Sequence, residues 1–201
     1  MNFAAIKDFD IANGPGIRVS LFVSGCPHHC KGCFNEETWD FSYGSPYTTY
    51  ETGRIIELLK GECMSGLTIL GGEPMAPENV YDVAELVQKC KTELPSTSIW
   101  LYTGYTLEDL IGRLKHYKVL QDTEKDRING NEMKVYYGTM GVLYGIDVLV
   151  DGPFIEDKKN LRLRFRGSSN QRIINMNKTM AGLVGEQITT NVTPILMDDY
   201  M

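Results

Sequence analysis

Short apolar runs alternate with segments of helical periodicity along most of this chain, and that rhythm restricts the fold more than any other feature. Ile17 to Val23 is β-branched and apolar and reads as a strand. Thr48-Thr49-Tyr50-Glu51 fits a capping box, so a helix is expected from there to about Lys60. Leu67 to Leu70, ended by Gly71-Gly72, reads as a buried strand. Pro77 then sits where a helix starts, with Val80, Val83, Ala84 and Val87 at helical spacing. Ser98 to Tyr102 is the next strand, and Leu107, Leu110, Ile111 and Leu114 mark the next helix. Ile146 to Val150 is another buried strand, stopped by Asp151-Gly152-Pro153.

This alternation predicts an α/β fold with a parallel sheet and helical crossovers, either an open sheet or an incomplete barrel. In both, ligands bind at the carboxyl ends of the strands. Cys26, Gly71-Gly72-Glu73-Pro74, Thr103-Gly104-Tyr105 and Asp151-Gly152-Pro153 each follow a strand, so all four are expected on one rim. Residues 118–145 interrupt the rhythm. Asp122, Glu124, Lys125, Asp126 and Arg127 crowd together, and Asn129-Gly130 is a hairpin-type turn signal, so the stretch reads as a surface insertion with a hairpin as its candidate form. After Met176 periodicity fades, which divides the chain into a domain over 1–176 and a tail over 177–201.

At 201 residues and 42% hydrophobic content, the chain can bury one sizeable core. A formal net charge of -6 makes general nucleic-acid binding a poor expectation, because that needs a basic footprint. No apolar stretch follows a basic start, and no long apolar run occurs, so neither a signal peptide nor a membrane span is expected. The five cysteines are an odd number, unlike a secreted disulfide framework. A cytoplasmic chain with reduced thiols fits.

Three of those cysteines fall in Cys26-Pro27-His28-His29-Cys30-Lys31-Gly32-Cys33, spaced C-x3-C-x2-C. Thiolates that close in sequence converge on one small point, as a metal or a cluster requires. Structural zinc needs four ligands, which His28 or His29 could complete. An iron–sulfur cube held by three thiolates instead leaves one iron open to a substrate, which is a catalytic arrangement. The second cysteine pair of a zinc ribbon is absent: Cys90 lies on an apolar helix face, and Cys63 has no partner pattern.

The cysteine motif, followed by a strand and Gly71-Gly72-Glu73-Pro74, resembles the radical S-adenosylmethionine (SAM) superfamily. That resemblance implies an incomplete parallel β/α barrel. It implies one 4Fe–4S cluster on Cys26, Cys30 and Cys33, with SAM on the open iron. Gly71, Gly72 and Glu73 would hold the methionine part, Glu73 meeting its ammonium. Gly32, Cys33 and Phe34 would lie against the nucleoside. Many members place a bulky residue before the third cysteine, where this chain has Gly32. Glycine there fits the branch that activates anaerobic ribonucleotide reductase.

Asn13-Gly14-Pro15-Gly16, Trp100 to Tyr105, Asp147 to Phe154 and above all Arg164 to Arg172 are also similar to that branch. The implied partners are the glycyl-radical subunit of the reductase and a one-electron donor protein. The implied chemistry is reductive cleavage of SAM to methionine and a 5′-deoxyadenosyl radical, which takes a hydrogen from a glycine of the reductase. Two alternatives are a radical SAM enzyme acting on a small molecule, of the deazapurine synthase type, and a non-catalytic zinc module.

Residues 161–166 alternate Leu, Arg, Leu, Arg, Phe, Arg, the period of a strand with Arg162, Arg164 and Arg166 on one face. That is either a solvated edge or a surface for the SAM carboxylate or an acidic patch of the reductase. Asp151 could hold a cation or a ribose hydroxyl, or simply begin its turn.

Overall fold

The computed structural model describes residues 1–123, 129–181 and 192–197. A seven-stranded mixed sheet runs through it in the order β3-β1-β2-β4-β5-β6-β7. The strands are β1 (Asn2–Asp10), β2 (Ile17–Val23), β3 (Ser45–Pro46), β4 (Met64–Gly71), β5 (Ser98–Tyr102), β6 (Val148–Asp151) and β7 (Arg172–Asn175). The four middle strands β2, β4, β5 and β6 are parallel, as the alternation predicts. The wholly parallel expectation fails at the edges, where β1 and β3 on one side and β7 on the other pair antiparallel. No α-helix lies between β1 and β2 or between β6 and β7, so no helical crossover forces those pairs parallel.

The helices are α1 (Thr49–Leu59), α2 (Val80–Glu93), α3 (Leu107–Thr123), α4 (Gly130–Gly145) and α5 (Met176–Met180). Helix α1 starts at the capping box, where Thr48 N–H donates to the Glu51 carboxylate at 2.7 Å. Helix α2 starts at Val80, later than Pro77 suggests, because residues 73–79 are spent in turns that build the site.

Residues 130–145 overturn the hairpin expectation. Asn129 caps a helix there, its side-chain oxygen accepting from the Asn131 and Glu132 amides, and Glu132 completes the box. The Asn-Gly pair that signals a hairpin turn is here an N-cap and first helical residue. Helix α4 packs on α2 with Gly138 at the contact, where a Cβ would lie 3.0 Å from the Val80 and Tyr81 backbone. Glu124, Lys125, Asp126 and Arg127, and most of the tail after 181, lie outside the described residues.

Strand alternation sorts side chains onto two faces. Val19, Leu21, Leu67, Ile69, Ile99, Leu101 and Leu149 join the apolar residues of all five helices in one buried core. Trp100, Val148, Val150 and Ile173 form a smaller cluster with Tyr102 and Phe165, on side chains of opposite parity. Arg18, of that same parity, is 1% exposed and donates to Thr68 Oγ1 at 2.7 Å and to the Leu67 and Ser98 carbonyls. Thr68 Oγ1 in turn donates to the Asn13 carbonyl at 2.8 Å, fixing the Asn13-Gly14-Pro15-Gly16 loop beneath the sheet.

The expected arginine strand does not form. The edge of β6 is taken by β7, and the other side of β7 bonds residues 195–197; residues 161–166 make a loop instead. Phe165 turns through a φ of 57° and meets Trp100 edge-on at 5.6 Å.

Candidate active site

A cleft of about 640 Å³ opens at the carboxyl ends of the parallel strands. Its wall takes Cys26, His28, Cys30, Cys33 and Phe34 from the loop after β2, and Gly71, Gly72 and Glu73 from the loop after β4. Tyr102 from β5, Thr103 and Gly104 just after it, Gly152 and Phe154 from the segment after β6, and Asn160, Leu161, Leu163, Phe165, Arg166 and Gly167 complete it. The sequence-chosen rim therefore assembles in one place. Gly32 and Asp151 are not on the wall.

The cysteine loop leaves β2 through backbone bonds to the helical turn Glu36–Trp39: Gly25 N–H donates to Thr38 and Cys26 N–H to Trp39, at 2.8 and 3.0 Å. His29, at a φ of 47°, lays its ring on Trp39 at 4.6 Å. Gly32 has a φ of 70°, which an L side chain adopts only under strain, and a Cβ there would sit 3.0 Å from the Glu156 carboxylate. That backbone conformation accounts for glycine before the third cysteine.

The Gly-Gly-Glu-Pro loop is tied to the cysteine loop through its backbone and through two side chains. Gly72 N–H donates to Val23, and Glu73 N–H to Gly25, both at 2.7 Å. Gly71 has a φ of 108°, and a Cβ on it would meet the Val23 carbonyl at 2.7 Å. Asn79, 1% exposed, donates to the Ser24 carbonyl at 2.9 Å and to the Glu73 carbonyl at 3.0 Å.

Glu73 is fully buried. Its Oε1 accepts from Thr103 Oγ1 and Met75 N–H, and its Oε2 from Gly104 N–H, with His28 Nε2 at 2.7 Å from the same oxygen. A carboxylate has about four acceptor sites, so these partners fill it. What Glu73 offers a ligand is negative charge at the floor of the cleft. The His28 ring also packs on Tyr105 at 4.5 Å, and the Arg113 guanidinium lies over Tyr105 at 4.8 Å.

Burial pushes the Cys26 thiol up to about 11, with the charge of Glu73 adding to the rise. Burial also raises Cys30. Both thiols thus favour the protonated form until a cation lies against them. Among the described residues, no three His, Cys, Asp or Glu side chains come close enough to grip a single metal ion. A cube whose cysteines each bind a different iron accepts a wider spacing.

Asp151, which the sequence left open between holding a ligand and beginning its turn, is 1% exposed and bonded within the protein. It accepts from Leu107 N–H at the start of α3 and from Arg172 Nε at 2.9 Å. The Gly167 to Arg172 segment fastens the far wall: Gln171 Oε1 accepts from Gly167 N–H at 2.8 Å, and Gln171 Nε2 donates to Gly152. Asn170 donates to the Pro153 carbonyl at 2.8 Å. Of the arginines, Arg166 lies on the wall and donates to the Gln171 carbonyl. Arg162 and Arg164 are exposed.

Sequence reasoning passed over Asn79 and Arg18, because a lone polar residue shows its partners only after folding. Thr103 was expected on the rim from its place after a strand, and it lies on the wall; its bond to Glu73 had no sequence signal.

A family described as the 4Fe-4S single cluster domain matches residues 12–174. The anaerobic ribonucleoside-triphosphate reductase-activating protein of Vibrio cholerae serotype O1 is 42% identical over 175 residues, covering 86% of this chain and 97% of that protein. The protein of the same name from Escherichia coli strain K12 is 39% identical over 173 residues, covering 85% and 96%. That of enterobacteria phage T4 is 35% identical over 173 residues, covering 86% and 93%. The chain belongs to the 4Fe-4S single cluster domain family and, within it, to the anaerobic ribonucleoside-triphosphate reductase-activating proteins.

Proposed function

We propose that this chain is the radical SAM activase of an anaerobic ribonucleotide reductase and generates a glycyl radical on it. The observation that carries the reading is the meeting of the cysteine loop and the Gly-Gly-Glu-Pro loop in one cleft, with Glu73 bonded to both His28 and Thr103. Three thiol side chains on one wall fit a 4Fe–4S cluster held by Cys26, Cys30 and Cys33. A cleft of about 640 Å³ is of a size to take a nucleoside-bearing cosubstrate. A 4Fe–4S cluster held there, with SAM bound beside it, would supply one-electron cleavage of a carbon–sulfur bond and so the radical chemistry that ends in a glycyl radical on the reductase.

The chain's own residues position and seclude this chemistry. Backbone groups of Gly71 and Gly72 can approach the methionine end closely because no Cβ intervenes. The charge of Glu73 favours its ammonium, and Arg166 on the opposite wall favours its carboxylate. Phe34, which packs on Phe154 at 5.4 Å, offers an aromatic surface to the nucleoside. Leu163 and Phe165 keep the cleft apolar and limit water. Asp151 acts indirectly, through Arg172 and the start of α3.

This reading takes the sheet and its helices as a partial radical SAM barrel, with residues 1–176 as the catalytic domain and 177–201 as a tail. It places the activase in the cytoplasm, supplied by a one-electron donor protein and without membrane or nucleic-acid partners. Among the described residues no helix is long and apolar enough to cross a membrane.

Oxygen-free protein reconstituted with iron and sulfide, then reduced, is expected to form 5′-deoxyadenosine from SAM and to install a glycyl radical on the reductase. Cys26→Ala, Cys30→Ala and Cys33→Ala should each abolish both. Protein that takes up zinc, assembles no cluster and never cleaves SAM would overturn the reading.

A further inference from the structure

Residues 158–166 carry five cations and no carboxylate, on a chain whose formal net charge is -6. They form a loop closed at its base by the Lys159–Ser168 bridge and by Ser169 N–H donating to Lys158 at 2.9 Å. The loop has two sides. Asn160, Leu161, Leu163, Phe165 and Arg166 line the cleft, whereas Lys158, Lys159, Arg162 and Arg164 are exposed and not on its wall. Leu161, at the tip, is 85% exposed, and Phe34 on the cysteine loop is 63% exposed with Lys159 Nζ 4.7 Å over its ring. Of the nearby carboxylates, Glu156 is paired with Lys31 at 3.0 Å, and Asp157 is exposed at the loop's base.

An exposed leucine and phenylalanine amid cations suit an incoming protein segment that has an apolar residue flanked by carboxylates. We propose that this loop is the docking edge for the reductase, with Leu161 as apolar contact and Lys158 and Arg162 facing carboxylates on the segment that bears the target glycine. The inference rests on the activase reading, because hydrogen must be taken within reach of the cleft and the target must therefore pass this rim. It adds the surface and the chemistry of the partner. On an otherwise acidic chain, a local positive edge also orients an acidic partner before contact.

Lys158 and Arg162 are off the cleft wall, so a Lys158→Glu, Arg162→Glu double variant separates docking from SAM cleavage. The full reconstituted chain would be titrated with reductase, following glycyl radical by electron paramagnetic resonance and 5′-deoxyadenosine without reductase in parallel. The variant should need about tenfold more reductase for half-maximal radical, while its partner-free SAM cleavage matches the wild type. Added salt should weaken the wild type and leave the variant little changed. An unshifted titration with the same salt response would overturn the docking role. So would duplex DNA retained by the wild type and not by the variant, with the reductase titration unmoved, since that assigns the loop to nucleic acid. Wild-type protein with an assembled cluster but no SAM cleavage would instead remove the activase reading itself.

Discussion

Asn79 shows how much of this site hangs on single buried polar groups. Its amide donates to carbonyls of both site loops, Ser24 and Glu73, in a position closed to water. Asn79→Ala would strand those carbonyls, and a buried acceptor left unpaired costs about 1–3 kcal/mol. Urea unfolding of the cluster-free chain should show a loss of that size. Glu73 works the same way with the donors reversed, gathering four partners from three segments on one carboxylate. The residue types at 71–74 were legible as a ligand loop, yet the saturation of Glu73 was not. Its donors Thr103 and Gly104 are distant in sequence and arrive only when β4 and β5 pair.

At the scale of elements, local signals gave correct results where they agreed with their surroundings and misled where they did not. The Thr48–Glu51 box opens α1 as its residues require. The Asn129-Gly130 pair has two uses, hairpin turn or helix cap, and the apolar stripe Val135, Val142 and Leu143 that packs inward selects the second. Asn129→Ala should therefore cost about 1 kcal/mol through α4, read as a lowered thermal midpoint with little change in helical circular dichroism below it. The alternation at 161–166 has the period of a strand, but a strand needs an edge. With β7 on β6, the same residues become the loop that borders the cleft.

Across the whole molecule, the last strand is held to the parallel core by a charge network. Arg172 on β7 donates to Asp151 on β6 at 2.9 Å and to Glu108 on α3 at 3.0 Å. Arg172 holds the Glu108 carboxyl below the usual glutamate range. A carboxylate depressed in the folded state adds stability above its unfolded value of about 4.3 and loses it as pH falls through the lower folded value. Glu108 is 53% exposed on its side chain, so solvent screening limits the gain to about 1 kcal/mol at most. Thermal midpoints of wild type and Glu108→Gln should thus differ slightly at neutral pH and converge in acid.

The sequence by itself determined the strand-and-helix alternation, the parallel middle of the sheet, and the convergence of four loops on one rim. Those follow from periodicity and from the short reach of each loop. Only the tertiary structure decided which edges run antiparallel, that residues 130–145 are a helix, and that Asp151 is spent on Arg172. Each of those depends on a partner remote along the chain, and side chains carry no mark of such partners until the sheet brings them together.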